Sequence, residues 1–142
     1  MAVTIDIGNP DNVHPADKLD VGHRLALAAR AISYGEQIEF SGPSYRQAIV
    51  KGNTIHIDFD HVDKTLVARQ GPLTGFEIAG ADRNFVPASA SIDGGSVVVS
   101  SSAVPDPRYV RYGWQNAPSV NLFNSAGLPA SPFTTEEMIP AP

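Results

Sequence analysis

"KGNTIHIDFD", residues 51–60, decides the fold: in an extended chain Ile55, Ile57 and Phe59 share one side, and Thr54, His56 and Asp58 share the other. That period of two predicts a strand with one buried face and one wet face. Lys51-Gly52-Asn53 supplies a tight turn at its start, so the strand is the second arm of a hairpin. Further along, residues 85–92 and 96–101 form a second strand pair around Asp93-Gly94-Gly95, and residues 108–113 set Tyr109 and Arg111 opposite Val110 and Tyr112. Gly, Pro, Asn and Asp turns separate these runs from Gly35 to about Phe123. A small β-sandwich over residues 36–123 is the economical architecture. Residues 118–142 are rich in proline and small residues. They are expected to wrap as irregular chain over a neighbouring surface or to be disordered, with 124–142 as a tail.

Toward the N-terminus the period changes. Residues 2–7 alternate β-branched and polar side chains as a short strand, and residues 15–34 carry Val21, Leu25, Ala28, Ala29 and Ile32 at helical spacing. Pro15 suits the first helical turn, and Gly35 supplies a left-handed stop. The expected fold class is therefore mainly β with one N-terminal helix. Residues 1–35 look like the terminal strand-helix unit of a parallel α/β sheet, which cannot cover itself. Either the strand joins the β-region and the helix packs across it, or the chain is the C-terminal end of a larger α/β protein.

Composition excludes several classes. A chain of 142 residues with 42% hydrophobic content suits one ordinary domain, or a small domain with a piece of another attached. The net charge of −5 is spread without any lysine or arginine cluster, so neither nucleic acid nor an anionic membrane is an expected partner. The chain has no cysteine, no apolar run of eighteen residues and no signal-peptide pattern at its start. Localisation is left open, and a parent enzyme could be exported. No cofactor is expected. His14, His56 and His61 lack the ligand spacing of a zinc site, so no metal is expected either.

Chemistry concentrates on Asp-x-x-His, which occurs three times: Asp11/His14, Asp20/His23 and Asp58/His61. Chance predicts about 0.3 copies for this composition, so context must decide among them. Asp20 and His23 share a helix face as a surface pair. Asp58 and His61 close a strand, where aspartate commonly bonds turn amides. Asp11 and His14 stand between the strand and the helix, where open α/β sheets carry their functional groups. Their ordinary alternative is a turn in which Asp11 bonds backbone amides and His14 is half-exposed at the helix start.

The stretch "VTIDIGNPDNVHPADKLDVGHRLALAA", residues 3–29, resembles the final block of the SGNH (GDSL-like) hydrolases, and more closely the C-terminal part of the sialate O-acetylesterase family of carbohydrate acetylesterases. The likeness continues through "FSGP" at 40–43, "FDHV" at 59–62, "GFEIAGAD" at 75–82, "VRYGW" at 110–114 and "NLFNSAGLPASPFTT" at 121–135. It implies that His14 is the base and Asp11 its orienter in a Ser-His-Asp triad. A serine hydroxyl is a poor nucleophile until an imidazole takes its proton and a carboxylate holds that imidazole. The same resemblance places the Gly-Asp-Ser block and the oxyanion-hole blocks upstream of Met1. Ser41, Ser44 and Ser100 to Ser102 lie in β-region turns or strands without the strand-turn-helix setting of an activated nucleophile.

The function expected is thus a C-terminal fragment or subunit of a serine-type carbohydrate O-acetylesterase, inactive by itself. Its partners would be an acetylated carbohydrate and an upstream SGNH segment, or a second copy. A noncatalytic sugar-binding β-module, with Tyr109, Tyr112 and Trp114 as stacking surfaces, is the alternative. An interaction module docking through Val21, Leu25, Ala28 and Ile32 is the third.

Overall fold

A computed structural model of the chain describes residues 1–12, 14 and 16–136. Strands β1 (Ser44–Lys51) and β2 (Thr54–Asp60) form the expected hairpin, with Lys51 opposite Thr54 across a two-residue loop whose Gly52 takes φ +59. That left-handed backbone carries no Cβ penalty at glycine and matches the twist of the two strands. Ile55, Ile57 and Phe59 are buried, as the alternation requires. Two further strands lie C-terminal in the chain, β6 (Ser89–Asp93) and β7 (Ser96–Ser100), turning at Gly94 with φ +60. They complete an antiparallel sheet in the order β1-β2-β7-β6.

A second antiparallel sheet runs in the order β10-β8-β4-β5. Its members are β4 (Phe76–Ala79), β5 (Val86–Pro87), β8 (Tyr109–Tyr112) and β10 (Phe133–Thr134), and a two-stranded ribbon pairs β3 (Leu66–Ala68) with β9 (Leu122–Asn124). The expected single strand over 85–92 is divided between the sheets: β5 pairs with β4, and β6 pairs with β7. Between them the Ala88 amide donates to the Phe76 carbonyl at 3.1 Å. Pro87 has no N–H for a ladder, so the chain changes sheet there and forms a corner of the sandwich.

Both sheets feed one core. Ile55, Ile57, Val97 and Val99 meet Phe76, Ile78, Val110, Tyr112 and Phe133 in a single buried cluster. Residues 118–136 are part of it, since Leu122, Leu128, Ala130 and Phe133 are buried and Phe133 stacks on Tyr45 at 5.1 Å between ring centroids. The C-terminal run wraps the sandwich as expected, but it adds two short strands to it. Residues 137–142 of the expected tail lie outside the described residues. The crossing point is Gly42, where a Cβ would collide with the Pro129 carbonyl oxygen.

Tyr112 is fully buried, and its hydroxyl accepts from the Leu122 amide at 3.1 Å. Burial pushes the phenol up to about 12, with backbone hydrogen bonds from Leu122 and Asn121 pulling it back and the charge of Asp6 adding to the rise. A raised folded value means that the stability due to neutral Tyr112 is complete below the unfolded value of about 10 and is lost as pH climbs toward 12. Urea melts at pH 9 and pH 12 should show a steeper alkaline loss in the parent than in Tyr112→Phe. At pH 7 that variant should cost about 1 kcal/mol, because the Leu122 amide loses its acceptor.

Helix α1 (Lys18–Ile32) is shorter than the expected 15–34. Asp17 is its N-cap, with the side chain accepting from the Asp20 amide at 3.0 Å, and Pro15 lies outside the described residues. Gly35 supplies the expected stop at φ +73, and the Glu36 amide closes back on the Arg30 carbonyl at 3.1 Å. Residues 2–7 differ from expectation, for they form no strand. An alternating sequence becomes a strand only beside a ladder partner, and among the described residues none flanks this segment. The Ile7 amide instead turns back to the Thr4 carbonyl at 3.2 Å. Much of the apolar stripe on α1 faces solvent: Leu19 is 82%, Leu25 55% and Ile32 65% exposed, whereas Ala28 is buried.

Candidate functional site

The turn carrying Asp11 and His14 is built by asparagines. The Asp11 amide donates to Asn9 Oδ1 at 2.9 Å, the His14 amide donates to Asn12 Oδ1 at 2.9 Å, and the Asn12 amide reaches the Asn9 carbonyl at 3.2 Å. Asparagine side chains that close such turns satisfy amides that would otherwise need a carboxylate. Among the described residues the Asp11 side chain accepts from no turn amide. Asp11 and His14 are both exposed, and among the described residues neither side chain makes a hydrogen bond or ion pair, including with the other.

The turn is moored to the helix by Arg24, only 6% exposed. Its guanidinium donates to the Val3 carbonyl at 2.8 Å and grips Asp6 with two parallel bonds of 2.6 and 2.8 Å. The fork suits a carboxylate, and the Asp6 hydrogen bond, ahead of burial acting the other way, raises the Arg24 pKa. Sequence reasoning passed over this pair. The available signal was an arginine among Val21, Leu25 and Ala28 on the helix, where a charge needs a buried partner. Removing it should loosen the segment rather than unfold the sandwich. In Arg24→Met, hydrogen exchange of the amides around residues 2–12 should speed up about tenfold or more while strand amides keep their protection. Unchanged exchange there would show that Arg24 does not anchor the turn.

The other two Asp-x-x-His pairs are drawn apart. The Asp20 carboxylate lies 3.9 Å from Arg24 and His23 is exposed, so the expected surface pair is not made. Asp58 bonds no turn amide; it accepts from Ser96 Oγ at 2.6 Å and Gln47 Nε2 at 2.7 Å, which, with Arg46 nearby, hold its carboxyl below the usual range. His61 Nδ1 stands 2.8 Å from Glu39 Oε1. Among the described residues no three histidine, aspartate or glutamate side chains gather closely enough to hold a metal ion. No helix among them is long and apolar enough to cross a membrane.

Of the three aromatics weighed as sugar platforms, Tyr112 is core and half-buried Tyr109 lies under the Arg83 guanidinium, 5.4 Å from the ring centroid. Trp114 is 45% exposed. Beside the asparagine turn, Asn9 and Pro10 face Asn116 and Ser119 across a groove of about 460 Å³. A smaller hollow of about 220 Å³ adjoins it through Pro118 and Ser119 and is walled by Trp114.

No protein-family model matches the chain. Sialate O-acetylesterase of Rattus norvegicus is 29% identical over 151 aligned positions, covering 94% of this chain and 27% of that protein. The Mus musculus protein of the same name is also 29% identical, over 96% of this chain and 28% of its own length. Among solved structures, a carbohydrate acetylesterase from Xanthomonas citri superposes with a TM-score of 0.92 at 50% identity, over 96% of this chain and 32% of that chain. The chain thus spans about a third or less of the length of the relatives it matches.

Proposed function

We propose that this chain, which is similar to sialate O-acetylesterases and to a carbohydrate acetylesterase, contributes Asp11 and His14 to a Ser-His-Asp triad whose serine stands on an α/β segment outside these 142 residues. The observation that carries the reading is the match to a carbohydrate acetylesterase at a TM-score of 0.92 and 50% identity over 96% of this chain. Two features support it. Among the described residues the side chains of Asp11 and His14 have no partner, and the exposed stripe of Leu25 and Ile32 is the kind of face that a neighbouring helix or sheet covers.

In the complete site the His14 imidazole takes the proton of the serine hydroxyl as its oxygen bonds the acetyl carbonyl carbon, and Asp11 holds the ring in the productive tautomer. Collapse of the tetrahedral intermediate breaks the bond to the sugar oxygen, and His14 returns the proton to that oxygen. Water, deprotonated by the same ring, then releases acetate from the acetyl-serine and restores the hydroxyl. Mixing the purified chain with a separately produced α/β segment carrying a Gly-Asp-Ser block tests this. Acetate release from an O-acetylated sugar is expected from the mixture and from neither part alone. Turnover by the chain alone would mean that a nucleophile lies within it, against the reading.

A further inference from the structure

We propose that the groove between residues 4–10 and 116–120, together with the adjoining hollow walled by Trp114, is a subsite for the glycan, with Trp114 as the stacking platform for one pyranose ring. This rests on the acetylesterase reading and extends it to a part of the β-sandwich that the triad does not use. Three observations converge on it.

The first is Trp114 itself. It is the single tryptophan of the chain, and at 45% exposure it withholds from the core the largest apolar surface a side chain can offer. It lines the hollow of about 220 Å³ that shares Pro118 and Ser119 with the larger groove. An aromatic ring presented this way matches the apolar C–H face of a sugar.

The second is the lining. The larger groove, about 460 Å³, lies within the size range of small-molecule sites. Its carboxylate, Asp6, is taken by Arg24, and Glu77 in the adjoining hollow is taken by Arg111 at 2.6 Å. What remains for a ligand is the Nδ2 of Asn9, the amides of Gln115 and Asn116 and the hydroxyls of Thr4 and Ser119. Such groups both donate and accept, as the hydroxyl rim of a sugar requires.

The third is how the walls are set. Gly113 turns the chain at φ +63 with its amide on the Gly75 carbonyl at 2.9 Å, and a Cβ there would stand 3.0 Å from Ile5 Cδ1. At Gly75, with φ +84, a Cβ would stand 2.8 Å from Val120 Cγ1 and 3.1 Å from the Ser119 carbonyl oxygen. Both glycines let the groove walls seat directly on the second sheet, so the cleft is held open by the fold before any ligand arrives. Asn9 and Pro10 immediately precede Asp11, which puts a ring in this groove at the edge of the turn that carries Asp11 and His14.

Because Trp114 is the sole tryptophan, its fluorescence reads the site directly. Titrating the full chain with an oligosaccharide ending in an O-acetylated sialic acid should shift its emission saturably. By calorimetry, Trp114→Ala should bind about tenfold more weakly, Trp114→Phe should lose less, and Asn116→Ala about threefold, with far-UV circular dichroism unchanged. An emission spectrum unmoved by the oligosaccharide, or a folded Trp114→Ala that binds equally well, overturns the subsite. Acetate release from the mixture with Trp114 unaffected by ligand would overturn this inference and keep the triad, whereas saturable binding without release would do the reverse.

Discussion

His14→Ala should abolish acetate release by the reconstituted mixture, lowering kcat by about 10⁴-fold or more, because a triad member acts as part of a unit. Without the imidazole the serine hydroxyl keeps its proton at neutral pH, and the sugar oxygen leaves without an acid. KM should move far less than kcat, since His14 meets the reacting atoms rather than the sugar. Asp11→Asn should follow with a loss of about 10³ to 10⁴-fold, the cost of an imidazole left in the wrong tautomer. The measurement is acetate release from an acetylated sugar at saturating substrate, with circular dichroism of each variant as the control. Equal turnover by His14→Ala and the parent would remove His14 from the mechanism. The exposed setting of both side chains makes a folding explanation of such losses weak, because neither supports a buried neighbour.

The same local chemistry explains what could be read in the sequence. The alternation over Thr54–Asp60 and the glycine-led loops at Gly52 and Gly94 are written within a few residues of one another, so strand, face and turn could all be recognised. The turn before the helix was legible, but its amide bonding was read onto Asp11, whereas Asn9 and Asn12 supply the acceptors seen among the described residues. In residues 2–7 the pattern asks for a strand, and a strand depends on a neighbour that the segment does not contain. The C-terminal run shows the same dependence from the other side. Strands β9 and β10 are three and two residues long, too short to leave a period, and their partners lie on β3 and β8 far along the chain. Gly42 likewise owes its absent side chain to the Pro129 carbonyl, a contact that no local rule exposes.

The long-range tie with the largest expected effect on stability is Asn124, a polar side chain only 1% exposed on β9. Its Nδ2 donates to the Ser41 carbonyl at 2.9 Å and the His61 carbonyl at 2.8 Å, while its Oδ1 accepts from the Leu128 amide at 3.0 Å. One amide thus joins the approach to β1, the exit of β2 and the turn after β9. It also holds His61 at φ +58, a backbone state that a non-glycine residue leaves readily without support. Asn124→Ala would leave the buried Leu128 amide unpaired, at about 1 to 3 kcal/mol, and take the donor from two part-buried carbonyls, at about 1 kcal/mol each, for a total of about 3 to 5 kcal/mol. For a domain of this size that corresponds to a fall in Tm of roughly 10 to 20 °C. Asn124→Leu separates lost volume from lost bonding, since leucine fills the space and makes none of the three hydrogen bonds. Asn124→Leu should be as destabilised as Asn124→Ala in thermal melts, and Asn124→Asp should be no better, because its carboxylate would face two carbonyl oxygens. A leucine variant restored to the parent Tm would show that Asn124 acts through packing and that its three bonds contribute little.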